Sequence, residues 1–577
     1  MTMLTKWGAA LDRSCPLPEY PRPQLRRESF YNLNGVWDYA VTPSGDEPEV
    51  WDGEIVVPFS PEAPLSGAAR GPAKDEYLHY RRGFTLPEGF QKSRVLLHFG
   101  AVDQIAEVFV NGVSTAKHSG GYWPFSADIT SLLREGENIL RVTVRDNADD
   151  PTFAYGKQRY KRGGMWYTAQ SGIWQTVWLE SVPEVYVKSL RITPEFDEAR
   201  VRIELETALE SSAAITCDVR AADGSFVAGS WAKGGVCIVP LPGFRAWTPD
   251  DPYLYTLDIT CGEDRVESYF AMRKFSYVEL GGHKVFGLNN APLFHNGLLD
   301  QGYYPDGLLT PPSDEAMVND IETMKRCGFN MLRKHIKIEP LRWYYHCDRL
   351  GMIVWQDMVS GGQPYSFLHV SALPTLGKVD LPDQDAKPYG RSGVLSRARF
   401  RREMADTVRL LYNCPCIALW TVFNEGWGQF DALDMANELK KLDPTRFIDH
   451  ASGWQDQGYE EMKSRHIYFR PVKLKNDGRA LALTEYGGYI LAVDGHRWTD
   501  KVFGYRICRD SAALAHDYEK LMLGQVLPHI RKEGLTAAVY TQITDVEEEL
   551  NGLMTYDREV LKIPEETLRE INKQLKF

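Results

Sequence analysis

The sequence predicts a multidomain protein in which two β-sandwiches precede a (β/α)₈ barrel. Two observations support this fold class. Short runs of alternating apolar and polar residues, separated by turn residues, fill the first half of the chain. From about residue 276 onward, apolar strands alternate instead with amphipathic helices. The length of 577 residues agrees with three such units, since a domain usually has roughly 100–200 residues.

The runs RVLLHFG, AEVFVNG, NILRVTV and WQTVWLE predict strands of the first sandwich. The dipeptide Asn111-Gly112 marks one of the turns between them. Later runs such as VYVKSLRI and ARVRIELET predict a second sandwich, because no helical pattern separates them. We place the first domain at 1–182 and the second at 183–275, with Pro183 close to the boundary.

The remaining segment, 276–577, predicts the barrel. Its first clear helix is DEAMVNDIETMKRCG, for which Ser313 is the expected N-cap. Eight strand-like segments follow one another with helices between them, and such repeats place reactive side chains at the carboxyl ends of the strands. A long loop rich in Gly and Pro, 359–395, follows the third strand and is expected to shape a pocket there.

Charge and composition exclude several classes of function. The net charge of −12 argues against binding to a nucleic-acid backbone or to an anionic membrane surface. We find no run of 18 apolar residues and no signal-peptide pattern at the N-terminus. The nine cysteines show no metal-binding spacing. We therefore expect reduced thiols and a cytoplasmic protein, and a homo-oligomer stays open.

Two glutamates follow buried, nearly apolar segments of the predicted barrel. Glu425 ends the segment IALWTVFNE, and Glu485 lies near the end of LALTEYG. On our strand count these are strands four and seven, whose carboxyl ends lie on the same face of the barrel. A buried carboxylate is costly unless it is paired or functional, so two structural ion pairs are the alternative. Facing carboxylates about 5–5.5 Å apart suit the retaining hydrolysis of a glycoside.

Motifs along nearly the whole chain resemble glycoside hydrolase family 2, the family of β-galactosidases, β-glucuronidases and β-mannosidases. They are HFGAVDQIAEVFVNG and SGIWQTVWLE in the first domain, SYFAMRKF in the second, and NMLRKHIKIEP, GMIVWQDM and FNEGW in the barrel. The resemblance implies a jelly-roll sugar-binding domain, an immunoglobulin-like domain and a catalytic TIM barrel. It also implies a retaining exo-β-glycosidase.

The resemblance implies roles for five residues. Glu425 would be the acid/base and Glu485 the nucleophile. Asn424 would bind the 2-hydroxyl of the sugar, while Tyr468 and Arg333 would support the nucleophile. The nucleophile must stay ionised, and a nearby cation and hydrogen-bond donor favour that state.

Further candidates for sugar contacts lie at or just beyond the strand ends, and we expect about half of them to touch the ligand. Trp355 should point to the same side of its strand as Asp357, although it fits the core equally well. His335 is either a sugar contact or a satisfied core histidine. The candidates are His335, Asp300, Asp357, Trp355, His450, Trp454, His466, Tyr540 and Gln542.

A charged and aromatic loop of the first domain, DNADDPTFAYGKQRYKRGGMWY, is a candidate wall of the pocket. Within it Asp146, Lys157 and Trp166 are potential sugar contacts, and a solvated loop with a buried tryptophan is the alternative.

The resemblance makes a β-D-galactoside the first choice of substrate, with β-glucosides, arabinopyranosides and β-glucuronides as alternatives. The motifs HIYFR and DQGYYPDG depart from the family's patterns, which leaves the sugar open. An Asn-x-Lys element for binding a glucuronide carboxylate is not evident, although Arg470 or Lys157 supplies a charge. The mechanism needs no metal, and we predict neither a metal nor a cofactor.

Two rivals differ in class. A non-catalytic carbohydrate-binding protein would share the sandwiches and the aromatic residues, but it has no need of two facing acids. A transglycosylase uses the same first step and stays open. In either enzyme the partner is a small glycoside or an oligosaccharide.

Overall fold

The computed structural model of the protein describes residues 3–209, 214–377 and 380–577. In the N-terminal domain, a pair of antiparallel sheets shares one apolar core that includes Trp37, Tyr80 and Leu179. One sheet has the strand order Gly53–Val57, Gly35–Thr42, Tyr77–Thr85, Glu137–Arg145, Ile105–Val110 and Val113–Ser119. The other has the order Tyr31–Asn32, Val177–Val182, Arg94–Phe99 and Phe125–Asp128.

A second, smaller sandwich follows. Alternate residues of its strands are buried, as in Tyr255–Cys261, and they form a core with Val201 and Val219. One sheet has the order Val187–Glu195, Arg200–Thr207 and Val236–Pro240, and the other has the order Phe226–Ala232, Ile215–Arg220, Tyr255–Cys261 and Asp264–Phe270.

Eight parallel strands form the barrel, as the sequence predicts. In space they run β5-β4-β3-β2-β1-β8-β7-β6, and in the described residues no ladder joins β5 to β6. The strands are β1 (His295–Asp300), β2 (Met331–Lys334), β3 (Ile353–Asp357), β4 (Ile417–Thr421), β5 (Phe447–Asp449), β6 (Met462–Ile467), β7 (Ala480–Gly487) and β8 (Leu535–Thr541). The exact domain boundaries of the sequence analysis remain predictions.

The helices around the barrel are fewer than the expected regular repeat. Within the described ranges, no helix follows β5 or β6, so irregular segments make both of these connections. Ser313 caps its helix as predicted, since its side chain accepts a hydrogen bond from the Ala316 N–H. The barrel helices are Asp314–Arg326, Leu341–Leu350, Val394–Leu411, Ala432–Leu442, Ser511–Leu521, Leu527–Glu533 and Glu565–Asn572.

One end of the barrel is filled with apolar side chains. The hairpin Phe275–Leu280/His283–Leu288 places Phe286 against Trp355 of β3, with 5.8 Å between the ring centroids. Because this end is packed, a ligand can enter only at the opposite end, where the strands terminate. Among the residues that the structure describes, no helix is both long and apolar enough to cross a membrane.

Candidate active site

Glu425 lies in a loop just beyond β4. The strand itself ends at Thr421, so the prediction that Glu425 ends the strand is corrected by four residues. The Glu425 N–H donates to the Ser452 carbonyl, which ties this loop to the chain after β5. Glu425 has a φ of +55°, a left-handed conformation that costs a non-glycine residue about 1–3 kcal/mol. The surrounding loops therefore hold the backbone of Glu425 in an unfavourable conformation, which fixes the direction of its side chain.

Glu485 lies within β7 and is 5% exposed. Both of its carboxylate oxygens are held by strong donors. The Arg333 guanidinium donates through Nη1 to Oε1 at 3.0 Å, and the Tyr468 hydroxyl donates to Oε2 at 2.6 Å. Such charge-assisted bonds stabilise the ionised carboxylate.

Arg333 is fully buried and joins three acceptors of the site. Its Nε and Nη2 donate to the Asp357 carboxylate at 2.9 and 3.0 Å, and Nη2 also donates to the Asn424 side-chain oxygen at 2.8 Å. Burial alone would raise the pKa of Asp357, but Arg333 and His335 hold it at about 2. The Asn424 amide oxygen is thus occupied, which leaves its NH₂ group to donate to a ligand.

His466 lies between the two glutamates. Its Nδ1 is 2.8 Å from Glu425 Oε1 and 3.5 Å from Glu485 Oε2, and its Nε2 is 3.2 Å from Ser452 Oγ. Burial lowers the pKa of His466 to about 3, so the imidazole is neutral. A neutral imidazole donates at one nitrogen and accepts at the other, so the tautomer with its proton on Nε2 is the one that accepts at Nδ1 from a protonated Glu425.

The two glutamates lie in different electrostatic surroundings. Burial raises the pKa of Glu425, and the charges of Lys157 and His335 offset only part of that rise. Glu485, by contrast, is in direct contact with Arg333. Glu425 is therefore suited to hold a proton, while the Glu485 carboxylate is paired with a permanent cation.

The same residues are the ones that could hold a metal. Among the described residues, Glu425, His466 and Glu485 form one group whose ligand atoms all lie within 4.8 Å of one another. A cation there would occupy both carboxylates and the imidazole.

The loop of the first domain reaches the barrel mouth with two of its three candidate residues, Lys157 and Trp166. Trp166 packs edge-on against Trp427, two residues after Glu425, at 5.1 Å, and the Lys157 ammonium lies 5.5 Å from the Trp166 ring. Asp146 lies elsewhere, among buried carboxyl groups. Burial and Asp103 raise the pKa of Asp146 well above its usual range.

Three family models match the chain in order. Residues 64–183 match the model "Glycosyl hydrolases family 2, sugar binding domain". Residues 185–273 match "Glycosyl hydrolases family 2", and residues 311–474 match its TIM barrel domain. Together these models match more than half of the chain. The chain belongs to glycoside hydrolase family 2. The matched segment of the barrel includes Glu425 and ends before Glu485.

Relatives within the family carry more than one activity in their names. A β-galactosidase from Thermoanaerobacter pseudethanolicus is 25% identical over 64% of this chain and 47% of its own length. A β-glucuronidase from Paenibacillus borealis is 22% identical over 82% of this chain and 85% of its own. For three other curated relatives, among them the Thermoanaerobacter pseudethanolicus enzyme, this chain spans about half of the relative's length or less.

The fold is also that of solved family members. The β-glucuronidase of an uncultured Clostridium sp. superposes with a TM-score of 0.73 at 18% identity. The match covers 95% of this chain and 98% of that one.

The structure corrects the expected position of Trp355. Its side chain does point into the barrel, as alternation along β3 predicts, but it is fully buried and donates to His295 Nδ1 at 3.0 Å. Asp357 is two residues further along the strand, about 6.6 Å nearer the mouth. Trp355 therefore belongs to the core beneath the site.

Tyr540, a candidate sugar contact in the sequence analysis, points away from the site. It is fully buried, and its ring lies 5.2 Å from that of Tyr518 on the helix Ser511–Leu521. Because side chains alternate along a strand, the next residue of β8 faces the opposite way. Thr541 contacts the Tyr468 hydroxyl at 2.9 Å and is the member of this strand that reaches the site.

Three other candidates are bound to protein groups, and one of them, Gln542, also contacts Glu549 at 3.4 Å. Asp300 accepts from the Lys334 ammonium at 2.6 Å. His450 accepts at Nε2 from the Gln457 N–H at 3.0 Å, and Gln542 donates to the Asn551 side chain at 2.7 Å. Trp454 does reach the pair, because its indole N–H donates to the Glu425 carbonyl at 2.8 Å.

Sequence reasoning missed three residues of the site. Tyr505 stacks on Tyr468 with 4.0 Å between the centroids, and Ser452 contacts His466. Glu549 accepts from the Tyr167 hydroxyl of the first domain. Tyr505 and Glu549 lie in irregular segments, where no periodic pattern marks a position. A serine after β5 is also no signal in itself.

Proposed function

We propose that the protein is a retaining exo-β-glycosidase, with Glu425 as acid/base and Glu485 as nucleophile. The observation that carries this proposal is the opposed pair itself, with carboxylate oxygens within 4.8 Å of each other. The separation agrees with the roughly 5–5.5 Å of retaining enzymes and is too short for the water between the carboxyl groups of an inverting one. Loops from the first domain and from the barrel enclose the glutamate pair, as in Trp166 packing on Trp427. Such an enclosed site favours the binding of a terminal sugar.

In the first step Glu485 attacks the anomeric carbon of the sugar. The bond from that carbon to the glycosidic oxygen breaks, and the leaving oxygen takes the proton of Glu425. Tyr468 and Arg333 hold the Glu485 carboxylate in place, and the free Asn424 NH₂ group is available to the 2-hydroxyl. The product is a glycosyl ester of Glu485, with Glu425 ionised.

In the second step Glu425 acts as a base. It removes a proton from water, whose oxygen attacks the anomeric carbon and releases Glu485. Glu425 thereby regains its proton and keeps it, 2.8 Å from His466 Nδ1. Two inversions at one carbon give net retention. A second sugar in place of water would make the enzyme a transglycosylase.

The sugar is the finer question. The β-D-galactoside predicted from the sequence stays a prediction, since family relatives named β-galactosidase and β-glucuronidase both match the chain. A β-uronide is the second candidate, and the buried ammonium of Lys157 favours it.

Replacing the acid tests the assignment of Glu425. For Glu425→Gln we expect kcat/KM to fall about 10²–10⁴-fold on glycosides with poor leaving groups, since no proton reaches the departing oxygen. On dinitrophenyl glycosides of the same sugar, kcat for the first step should fall less than about tenfold. Steady-state and burst kinetics on both substrates measure this difference.

The exposed carboxylate of Glu438, which pairs with Arg401, offers a matched control. Glu438→Gln should leave both rates unchanged. An equal loss on good and poor leaving groups in Glu425→Gln would contradict the role of this residue as the acid.

A further inference from the structure

Lys157 is a buried cation whose protein contact is the Trp166 ring, 5.5 Å away, rather than a carboxylate. The residue is 8% exposed, and its ammonium makes no hydrogen bond or ion pair with any residue in the described ranges. Other buried lysines differ: Lys334, Lys337 and Lys562 each contact a carboxylate within 2.8 Å. A buried, unpaired charge is costly, so a ligand that pairs with it is the economical explanation.

The backbone around Lys157 is fixed at the barrel mouth. The neighbouring Gly156 lies so close to the loop after β2 that a Cβ atom there would be 3.0 Å from the Ile336 carbonyl, next to His335. The Gly156 N–H donates to the Ser360 carbonyl at 2.9 Å, and the Lys157 carbonyl accepts from the Tyr167 N–H at 3.0 Å. These backbone hydrogen bonds hold the first-domain segment that carries Lys157 against the barrel mouth.

Two other cations near this mouth, Arg333 and Arg159, are already engaged, and Arg470 is exposed. All of the donors of Arg333 that face the pair are used by Asp357, Glu485 and Asn424. Arg159 lies over the Trp166 ring and pairs with Asp149. Compared with these arginines, Lys157 is a buried cation that remains available to a ligand in the part of the chain that the structure describes.

The site around this ammonium is acidic. Burial raises the pKa of both Glu425 and Glu549, and the charge of Lys157 offsets part of each rise, while Glu485 raises the pKa of Glu549 further. None of these carboxylates lies within ion-pair distance of Lys157, however. A negatively charged sugar would be repelled from such a pocket unless a cation compensated its charge. A neutral sugar would not need that cation.

We propose that Lys157 binds the carboxylate of a β-linked uronic acid, so that the substrate class is the β-uronides, either glucuronides or galacturonides. The inference rests on the proposed function. In this account the first domain binds the charge of the sugar through Lys157, and the barrel supplies the catalytic groups Glu425 and Glu485. A carboxylate accepts two or more bonds from an ammonium and neutralises its charge, which a hydroxyl group cannot do.

The test compares wild type, Lys157→Met and Lys157→Arg on four nitrophenyl glycosides: β-glucuronide, β-galacturonide, β-galactoside and β-glucoside. Wild type should cleave one uronide at least about 100-fold better, by kcat/KM, than either neutral sugar. In Lys157→Met that kcat/KM should fall about 100-fold or more, mainly through KM. On the neutral sugars the change should stay under about tenfold, and Lys157→Arg should recover part of the loss.

A pH profile gives a second readout. Lys157 stabilises ionised Glu425, so its removal should raise the pKa of Glu425 and move the alkaline limb of kcat to higher pH. Lys161→Met, which removes an exposed lysine of the same segment, is the matched control and should change neither readout.

Calorimetric binding of free glucuronate and galacturonate separates the two proposals. Uronate binding that requires Lys157, without cleavage of any glycoside, would support the carboxylate site and contradict the proposed function. Cleavage of a neutral sugar in preference to both uronides, or equal losses on all substrates in Lys157→Met, would overturn the carboxylate site and leave the glycosidase intact. Neither cleavage nor uronate binding would contradict both.

Discussion

Glu485→Gln is expected to lose about 10⁴-fold or more in kcat while keeping its fold. The amide cannot attack the anomeric carbon, and no other carboxylate is in contact with both Arg333 and Tyr468 in the described residues. The substitution preserves the shape of the side chain, and the glutamine oxygen can still accept a hydrogen bond from the Tyr468 hydroxyl. The loss of activity therefore reflects the chemistry rather than the packing.

Turnover is measured on the best of the nitrophenyl glycosides, with circular dichroism to check the fold. Glu438→Gln again serves as the control on an exposed carboxylate. Wild-type turnover in a well-folded Glu485→Gln would remove this residue from the mechanism.

Arg333→Met is expected to lower the free energy of unfolding by about 3–5 kcal/mol and to abolish most activity. The substitution leaves the buried carboxylates of Asp357 and Glu485 without their shared cation, and an uncompensated buried charge is strongly destabilising. It also releases Asn424, so both the nucleophile and the expected 2-hydroxyl contact lose their positions.

Denaturant unfolding followed by circular dichroism measures the change in stability. Arg401→Met is the matched control, because Arg401 forms an exposed ion pair with Glu438 and such pairs contribute roughly 0–1 kcal/mol. A change below about 1 kcal/mol in Arg333→Met would show that the guanidinium does not hold the buried carboxylates together.

Periodicity was enough to predict the two sandwiches and the barrel, because alternating apolar residues in strands and amphipathic helices are local patterns. The strand count also placed Glu425 and Glu485 on the same face of the barrel, while Arg333 was expected from the family resemblance alone. Periodicity was less reliable at strand ends. The prediction that Glu425 ends its strand overlooked the loop after Thr421, in which hydrogen bonds to the chain after β5 fix the backbone.

Side-chain direction and depth explain the other differences. Trp355 points inward as expected, but it lies one layer below the site. Side chains alternate along β8, so Tyr540 points away from the barrel interior while the next residue, Thr541, points into it. The position of Lys157 depends on contacts between residues far apart in the chain, such as Gly156 with Ser360. No local pattern in the sequence specifies such a contact.

Trapping of the covalent intermediate tests the central claim most directly. A 2-deoxy-2-fluoro glycoside of the preferred sugar, with a dinitrophenyl leaving group, slows the second step more than the first, so the glycosyl-enzyme accumulates. Digestion and mass spectrometry should then find the fluorosugar on Glu485, with one equivalent of dinitrophenol released per chain. A label on another residue, or turnover with inversion of the anomeric centre and no adduct, would contradict the account.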